Sequence, residues 1–121
     1  MATTHEYTFK DTPWANVRPV VEHPMYYVFE DKYPVTKGHL LFVPKQDTDL
    51  HIRECYMAAY EWGLDLFQKA ICDGYNVGQN VGIVAGQTVM WPHIHMIPRT
   101  DGDCADPRGG VRGVIADKQK Y

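Results

Sequence analysis

Long apolar stretches are missing from this chain. Nothing in its 121 residues approaches the roughly 18 to 20 consecutive apolar side chains that a membrane-spanning helix needs. The opening Met1-Ala2-Thr3-Thr4-His5-Glu6 also lacks a charged segment followed by an apolar one. Neither a span nor a leader is therefore expected, and the cytoplasm is the expected compartment. Cysteine is scarce: Cys55, Cys72 and Cys104 are too far apart for a C-x-x-C metal or redox pair, and their odd number argues against a secreted disulfide framework. They read as reduced thiols. An excess of one charge is missing too, since 12 basic against 15 acidic side chains leave a formal net charge of -3. That balance disfavours a large basic face and, with it, nucleic acid as a partner. What the chain does have is 45% hydrophobic and 12% aromatic residues. This suffices for a single domain over 1–121 that buries roughly 60 to 70% of its unfolded surface with no structural staple.

Pro13, Pro19 and Pro24 interrupt the first 24 residues, which predicts a short strand near Tyr7 to Phe9 and then irregular chain. The β-branched and aromatic run Met25 to Glu30 predicts a strand, broken at Asp31-Lys32-Tyr33-Pro34. His39 to Val43 reads as its antiparallel neighbour, bounded by Gly38 and Pro44. Between Leu50 and Cys72 the period changes: Ile52, Tyr56, Ala59, Gly63, Phe67 and Ala70 recur at steps of three and four, the pattern of one long amphipathic helix. Thr48 or Asp49 would cap its start and Gly74 would stop it. Gly63, unfavourable mid-helix by about 1 kcal/mol against alanine, implies a close approach of helix to sheet. Tyr75 to Ala85 and Gln87 to Ile97 read as two further strands, and the turn-rich 100–121 segment reads as loop.

The chemistry concentrates in Trp91-Pro92-His93-Ile94-His95-Met96-Ile97. On a strand, alternate side chains share a face, so Trp91, His93 and His95 would line one side. Pro92 cannot donate to a ladder, which places an edge, a bulge or a strand start there. Three chemistries use such imidazoles. A metal centre would need a third or fourth ligand, and the following Pro98, Arg99 and Thr100 supply none, so no metal and no cofactor is expected. Structural histidines bonded to backbone are a second reading. The third is nucleophilic catalysis at phosphorus, with one neutral imidazole attacking and a second, as imidazolium, offsetting charge. Phosphate would then be held by backbone amides around Gly86-Gln87-Thr88, by the side chains of Gln87 and Thr88, and by His39.

Three stretches carry a resemblance that spans most of the chain: Phe29 to Lys45 with its Lys37-Gly38-His39, Asn76 to Val89 ending in Ala85-Gly86-Gln87-Thr88-Val89, and His93-Ile94-His95-Met96-Ile97-Pro98-Arg99. A fourth is Asp106-Pro107-Arg108-Gly109-Gly110-Val111-Arg112-Gly113-Val114-Ile115. Together they resemble the histidine-triad (HIT) family, and the last resembles the tail of its microbial dinucleoside polyphosphate hydrolase-like members. The resemblance implies an α+β fold, an antiparallel sheet of about five strands carrying one long helix, commonly paired as a homodimer. It implies a small-molecule nucleotide as ligand and a covalent nucleotidyl-histidine intermediate in hydrolysis or nucleotidyl transfer. Possible substrates are a dinucleoside polyphosphate or a nucleoside phosphoramidate. Residue by residue, His93 falls on the nucleophile and His95 on the third triad position. Gln87 and Thr88 fall on the polar phosphate contacts, Asp31 on the ribose contact, Phe29 on the wall of the base site and Asn80 near the phosphates. The departure is Trp91, with Pro92 after it, where the family has its first triad histidine; by position Trp91 still falls among the nucleotide-binding residues, with a bulk that reshapes the site. Indole is a donor only. If that position mainly packs, Trp91 substitutes at a modest loss; if it sets the tautomer of the nucleophile, the loss is large, and a nucleotide-binding protein without turnover is the alternative reading. Trp14 and Trp62 receive no role, and the arginines of the tail are either solvated surface or a reach toward polyphosphate.

Overall fold

The structure is a computed structural model and describes residues 6–121. Met1–His5, read above as carrying no leader, lie outside the described residues. Five strands, β1 (Val21–Glu22), β2 (Tyr26–Glu30), β3 (Leu40–Pro44), β4 (Gly74–Gly78) and β5 (Ile94–Arg99), pair antiparallel in the order β1-β2-β3-β5-β4. One helix, α1 (Asp49–Gln68), crosses one face of that sheet. No helix of the described residues is long and apolar enough to cross a membrane.

Period two divides the sheet into two chemistries. Val28, Leu40, Phe42, Ile94 and Met96 point toward α1 and meet Cys55 and Ala59 in a dry core. Phe29, Leu41 and Val43 point the other way and join Trp14 and Trp91, with Phe9 and Tyr27 packed on the cluster. Every residue of β3 is therefore buried, because both of its faces are covered. Burial of Cys55 pushes its thiol up to about 12, so it is inert; all three cysteines are free.

The helix lies close to the sheet because its contact stripe is small. Cys55, Ala59 and Gly63, spaced by four, are its buried residues, and a Cβ on Gly63 would run into the Tyr75 ring of β4. The expected close approach at Gly63 is thus present, but the expected stripe is rotated: Tyr56 and Phe67 are 40% and 49% exposed. Bulkier side chains on that line would hold the helix off the strands. Thr48 caps the start by accepting the His51 amide hydrogen at 3.2 Å. The stop is Ala70, in the left-handed region at φ 57°, rather than Gly74, which opens β4. Ile71 and Ala70 donate back to the Leu66 and Phe67 carbonyls at 2.9 and 3.1 Å, the paired bonds of a Schellman ending.

Other expectations give way to local geometry. Tyr7 to Phe9 forms no strand; Thr8 and Asp11 close a one-turn 3-10 helix, Phe9–Asp11, in which the Thr8 amide donates to the Asp11 carboxylate at 2.8 Å. The chain after β4 leaves the sheet at Gln79 and makes a 3-10 turn, Ile83–Ala85, and β5 begins only at Ile94. Pro92, with no hydrogen to give a ladder, lies just ahead of that strand start, as expected.

Candidate functional site

The site is built on the face of the sheet that α1 does not cover. His39 enters it from the β2–β3 connection, where Gly38 (φ 91°) makes a turn that a side-chain-bearing residue would strain. The Val35 amide hydrogen donates to His39 Nδ1 at 3.0 Å. A backbone amide can only donate, so the proton of a neutral His39 sits on Nε2. That Nε2 lies 2.9 Å from His95 Nδ1 and 3.5 Å from an Asp31 oxygen. His95 Nδ1 therefore accepts, and the His95 proton sits on Nε2. This last atom is buried and has no hydrogen-bond partner among the described residues. An unpartnered buried N–H is costly unless something arrives to accept from it.

The electrostatics agree with this chain of donors. Burial pushes His95 down to about 4, with the neighbouring His93 and His39 adding to the shift and Asp31 opposing it. Burial also lowers His39, again against Asp31. Protonating His95 on Nδ1 would break its bond to His39. His95 is thus a neutral donor at cellular pH, which corrects the expected imidazolium.

His93 is set differently. Its Nδ1 lies 2.8 Å from the Trp91 carbonyl oxygen, which can only accept, so Nδ1 carries the proton and Nε2 keeps the lone pair. The His93 and His95 rings are 5.3 Å apart between centroids. Trp14 leans on His93 at 5.0 Å and stacks on Phe29 at 6.2 Å. No register or motif in the sequence links it to His93. Trp91 is 7% exposed, and its indole N–H is spent on the Pro44 carbonyl at 2.8 Å. It offers a ligand no polar atom.

The remaining expected residues fall in two groups. Asp31 accepts the Tyr33 amide hydrogen at 2.7 Å with one oxygen and faces His39 with the other, so it caps the turn and belongs to the site. Asn80 lines a cavity of about 530 Å3 together with His39 and His95. Val35, Asn76, Gln79, Val111 and Val114 complete much of its wall. Phe29 lines a separate cavity of about 260 Å3 with Phe9, Trp14, Tyr27 and Glu22. Gln87, in contrast, is turned inward: its oxygen accepts the Gly82 amide hydrogen at 2.8 Å, and its NH2 donates to the Val89 and Met90 carbonyls at 3.1 and 3.2 Å. The amides of Gly86 and Gln87 are likewise spent on Ile83 and Gly82. The Gly86-Gln87 part of the expected phosphate cradle therefore braces its own loop, and Thr88 stands exposed beside it. The tail arginines are held within the tail, Arg108 and Arg112 lying 5.3 and 4.9 Å from the Tyr121 ring centroid.

Among the described residues, Asp31, His39 and His95 are the group with spacing that could hold a metal ion. Their chemistry does not fit one. A ligating nitrogen must offer a lone pair, and His39 has already given its single lone pair to the Val35 amide.

Comparison with known proteins identifies the family. The family model described as HIT domain matches residues 15–102. The chain belongs to the histidine-triad family. An uncharacterized HIT-like protein of Methanocaldococcus jannaschii is 35% identical over 100 residues, covering 68% of this chain and 74% of that protein. The adenosine 5'-monophosphoramidase HNT1 of Saccharomyces cerevisiae is 35% identical over 85 residues, 68% of this chain but only 54% of the yeast protein. Among solved structures, a Zn-bound histidine triad family protein from Mycobacterium smegmatis superposes with a TM-score of 0.65 at 27% identity, covering 73% of this chain and 69% of that one.

Proposed function

We propose that this protein cleaves a nucleoside phosphate conjugate, either hydrolysing it or transferring the nucleotide, through a covalent nucleotidyl-His93 intermediate. The observation that carries the reading is the pair of opposed tautomers: His93 presents a lone pair on Nε2, and His95 presents an unpartnered N–H. One group is a nucleophile and the other is a donor for a phosphoryl oxygen. In the first step the His93 Nε2 lone pair forms a bond to the α-phosphorus. The bond from phosphorus to the leaving group breaks, and that group departs with the electron pair and takes a proton from solvent. The nucleotidyl imidazolium so formed keeps its proton on Nδ1, still donating to the Trp91 carbonyl oxygen. Water then attacks phosphorus, the N–P bond breaks, and neutral His93 is restored as the water gives up a proton. On this reading Asp31 would receive ribose hydroxyls, Phe29 would border the base, and Asn80 and Thr88 would meet phosphate.

The cavity beside His95 bears on the leaving group. Its wall is amide, imidazole and aliphatic, with no lysine or arginine, and Arg99 is gripped by Asp103 at 2.7 Å and Asn76 at 2.9 Å. A polyphosphate would find no counter-charge there. This favours a nucleoside phosphoramidate over a dinucleoside polyphosphate, in keeping with the named activity of the yeast relative. Pairing into a homodimer is supported by the free outer edge of β4 and by exposed Tyr56, Met57, Tyr60 and Phe67 on α1.

The test is to supply adenosine 5'-phosphoramidate and diadenosine tetraphosphate separately and follow products by phosphorus NMR. Release of AMP from the phosphoramidate, lost in His93→Ala, is expected. No AMP from either compound, alongside calorimetric binding of AMP, would instead establish a nucleotide-binding protein without turnover.

A further inference from the structure

We propose that Glu22, on the short edge strand β1, reads the base of the bound nucleotide and makes the site selective for guanine. The inference rests on the reading of the α1-free face as a nucleotide site and names the base that it takes. The register sets Glu22 opposite Tyr27, and period two puts Phe29 on the same face. Together with Phe9 and Trp14 they border the cavity of about 260 Å3. That volume falls below the roughly 300 to 1,000 Å3 of a site for a whole small-molecule ligand, so it suits one planar group. Phe9 and Trp14 each lie nearly parallel to Phe29, at 18° in both pairs, and such faces stack on any base without telling one from another. Trp14 also leans on the ring of His93 at 5.0 Å. The cavity is thus one ring removed from the nucleophile, a gap that a ribose spans between a base and its α-phosphate.

Discrimination needs a polar group at the rim. Among the described residues that line the cavity, Glu22 is the charged one. Lys45 steadies it, with Nζ 3.5 Å from Glu22 Oε1 and 4.9 Å from the centroid of the Tyr27 ring. A carboxylate has about four lone-pair sites, and one ammonium does not fill them. The purines differ in what they bring to such an acceptor. Guanine carries neighbouring donors on one edge, N1–H and the 2-amino group, which match the paired oxygens. Adenine has an unprotonated N1 there, and its lone pair would face the carboxylate. Hypoxanthine keeps N1–H and lacks the amino group, so it falls between them. Glu22 is 60% exposed, and water competes for it. A preference of about tenfold is therefore expected, far short of the roughly 10,000-fold that a fully buried polar site achieves.

Calorimetric titration of the full chain with GMP, IMP and AMP tests this without any turnover. GMP is expected to bind about tenfold more tightly than AMP, with IMP between them. Glu22→Gln keeps the shape of the side chain and trades an acceptor for a donor, which suits the N1 and 6-amino group of adenine instead. It should weaken GMP and erase the preference. Equal affinities for GMP and AMP, IMP binding as tightly as GMP, or a preference for GMP that survives in Glu22→Gln would each overturn the proposal. The three-nucleotide comparison needs no variant, so a misfolded Glu22→Gln does not shelter the idea. Selective binding of GMP by a protein that turns over no nucleotide would sink the covalent mechanism and leave this inference standing. Turnover of a phosphoramidate with equal affinities for GMP and AMP would do the reverse.

Discussion

The two faces of β5 and its lead-in differ in what they tolerate. Ile94 and Met96 are fully buried against α1, where nothing but apolar volume matters. His93 and His95, one residue off in each case, lie on the face without a helix, where the Nδ1 atom of each ring has a fixed partner. The first face gives stability and the second stores an unmet hydrogen bond. Breaking each in turn should separate the two roles.

The largest effect is expected from His93→Ala, which should lower turnover at least about 1,000-fold; a protein that keeps its rate would show that the lone pair is not used. Met96→Ala on the opposite face should cost about 2 to 5 kcal/mol of stability, read by urea denaturation. Gly63→Ala should cost about 1 to 3 kcal/mol, because the added carbon meets the Tyr75 ring. Acid should act through the histidine face. The native His95 value of about 4 lies below its ordinary 6.5, so between those values the unfolded chain binds more protons. Stability must then fall as pH drops from about 6.5 toward about 4, and the lowered His39 works in the same direction. The slope should flatten in His95→Asn, and an unaltered slope would deny the buried neutral donor. The smallest change, about 1 kcal/mol, is expected from Thr48→Ala at the start of α1, measured by the same denaturation.

Much of this division could be read from the chain itself. The strands Tyr26–Glu30 and Leu40–Pro44 follow from compact apolar runs with turn residues at their ends, and the imidazole pair follows from a spacing of two. What escaped the reading depended on contacts between distant segments. Periodicity puts Tyr56 and Phe67 on the stripe of α1 because it gives a direction but not the depth of a helix against a sheet. Gln87 reads as a phosphate contact because an amide looks the same in sequence whether it faces a ligand or its own loop; Gly82, Val89 and Met90 decide that, and only once the loop is folded. Trp14 had no local signal at all, since its neighbour His93 is reached only through the fold. The protonation of His95 is hidden from the sequence for a similar reason: it depends on the Val35 amide, two hydrogen bonds away along the His39 chain of donors.

The central claim is that the bare nitrogen of His93 bonds to phosphorus. Mixing the protein with adenosine 5'-phosphoramidate, quenching in alkali and sequencing the peptides by tandem mass spectrometry tests it most directly. One adenylyl group on His93, absent after prolonged incubation with water as acceptor, is the predicted result. Turnover with His93 never modified, or an adenylyl group found on His95 or His39 instead, would contradict it.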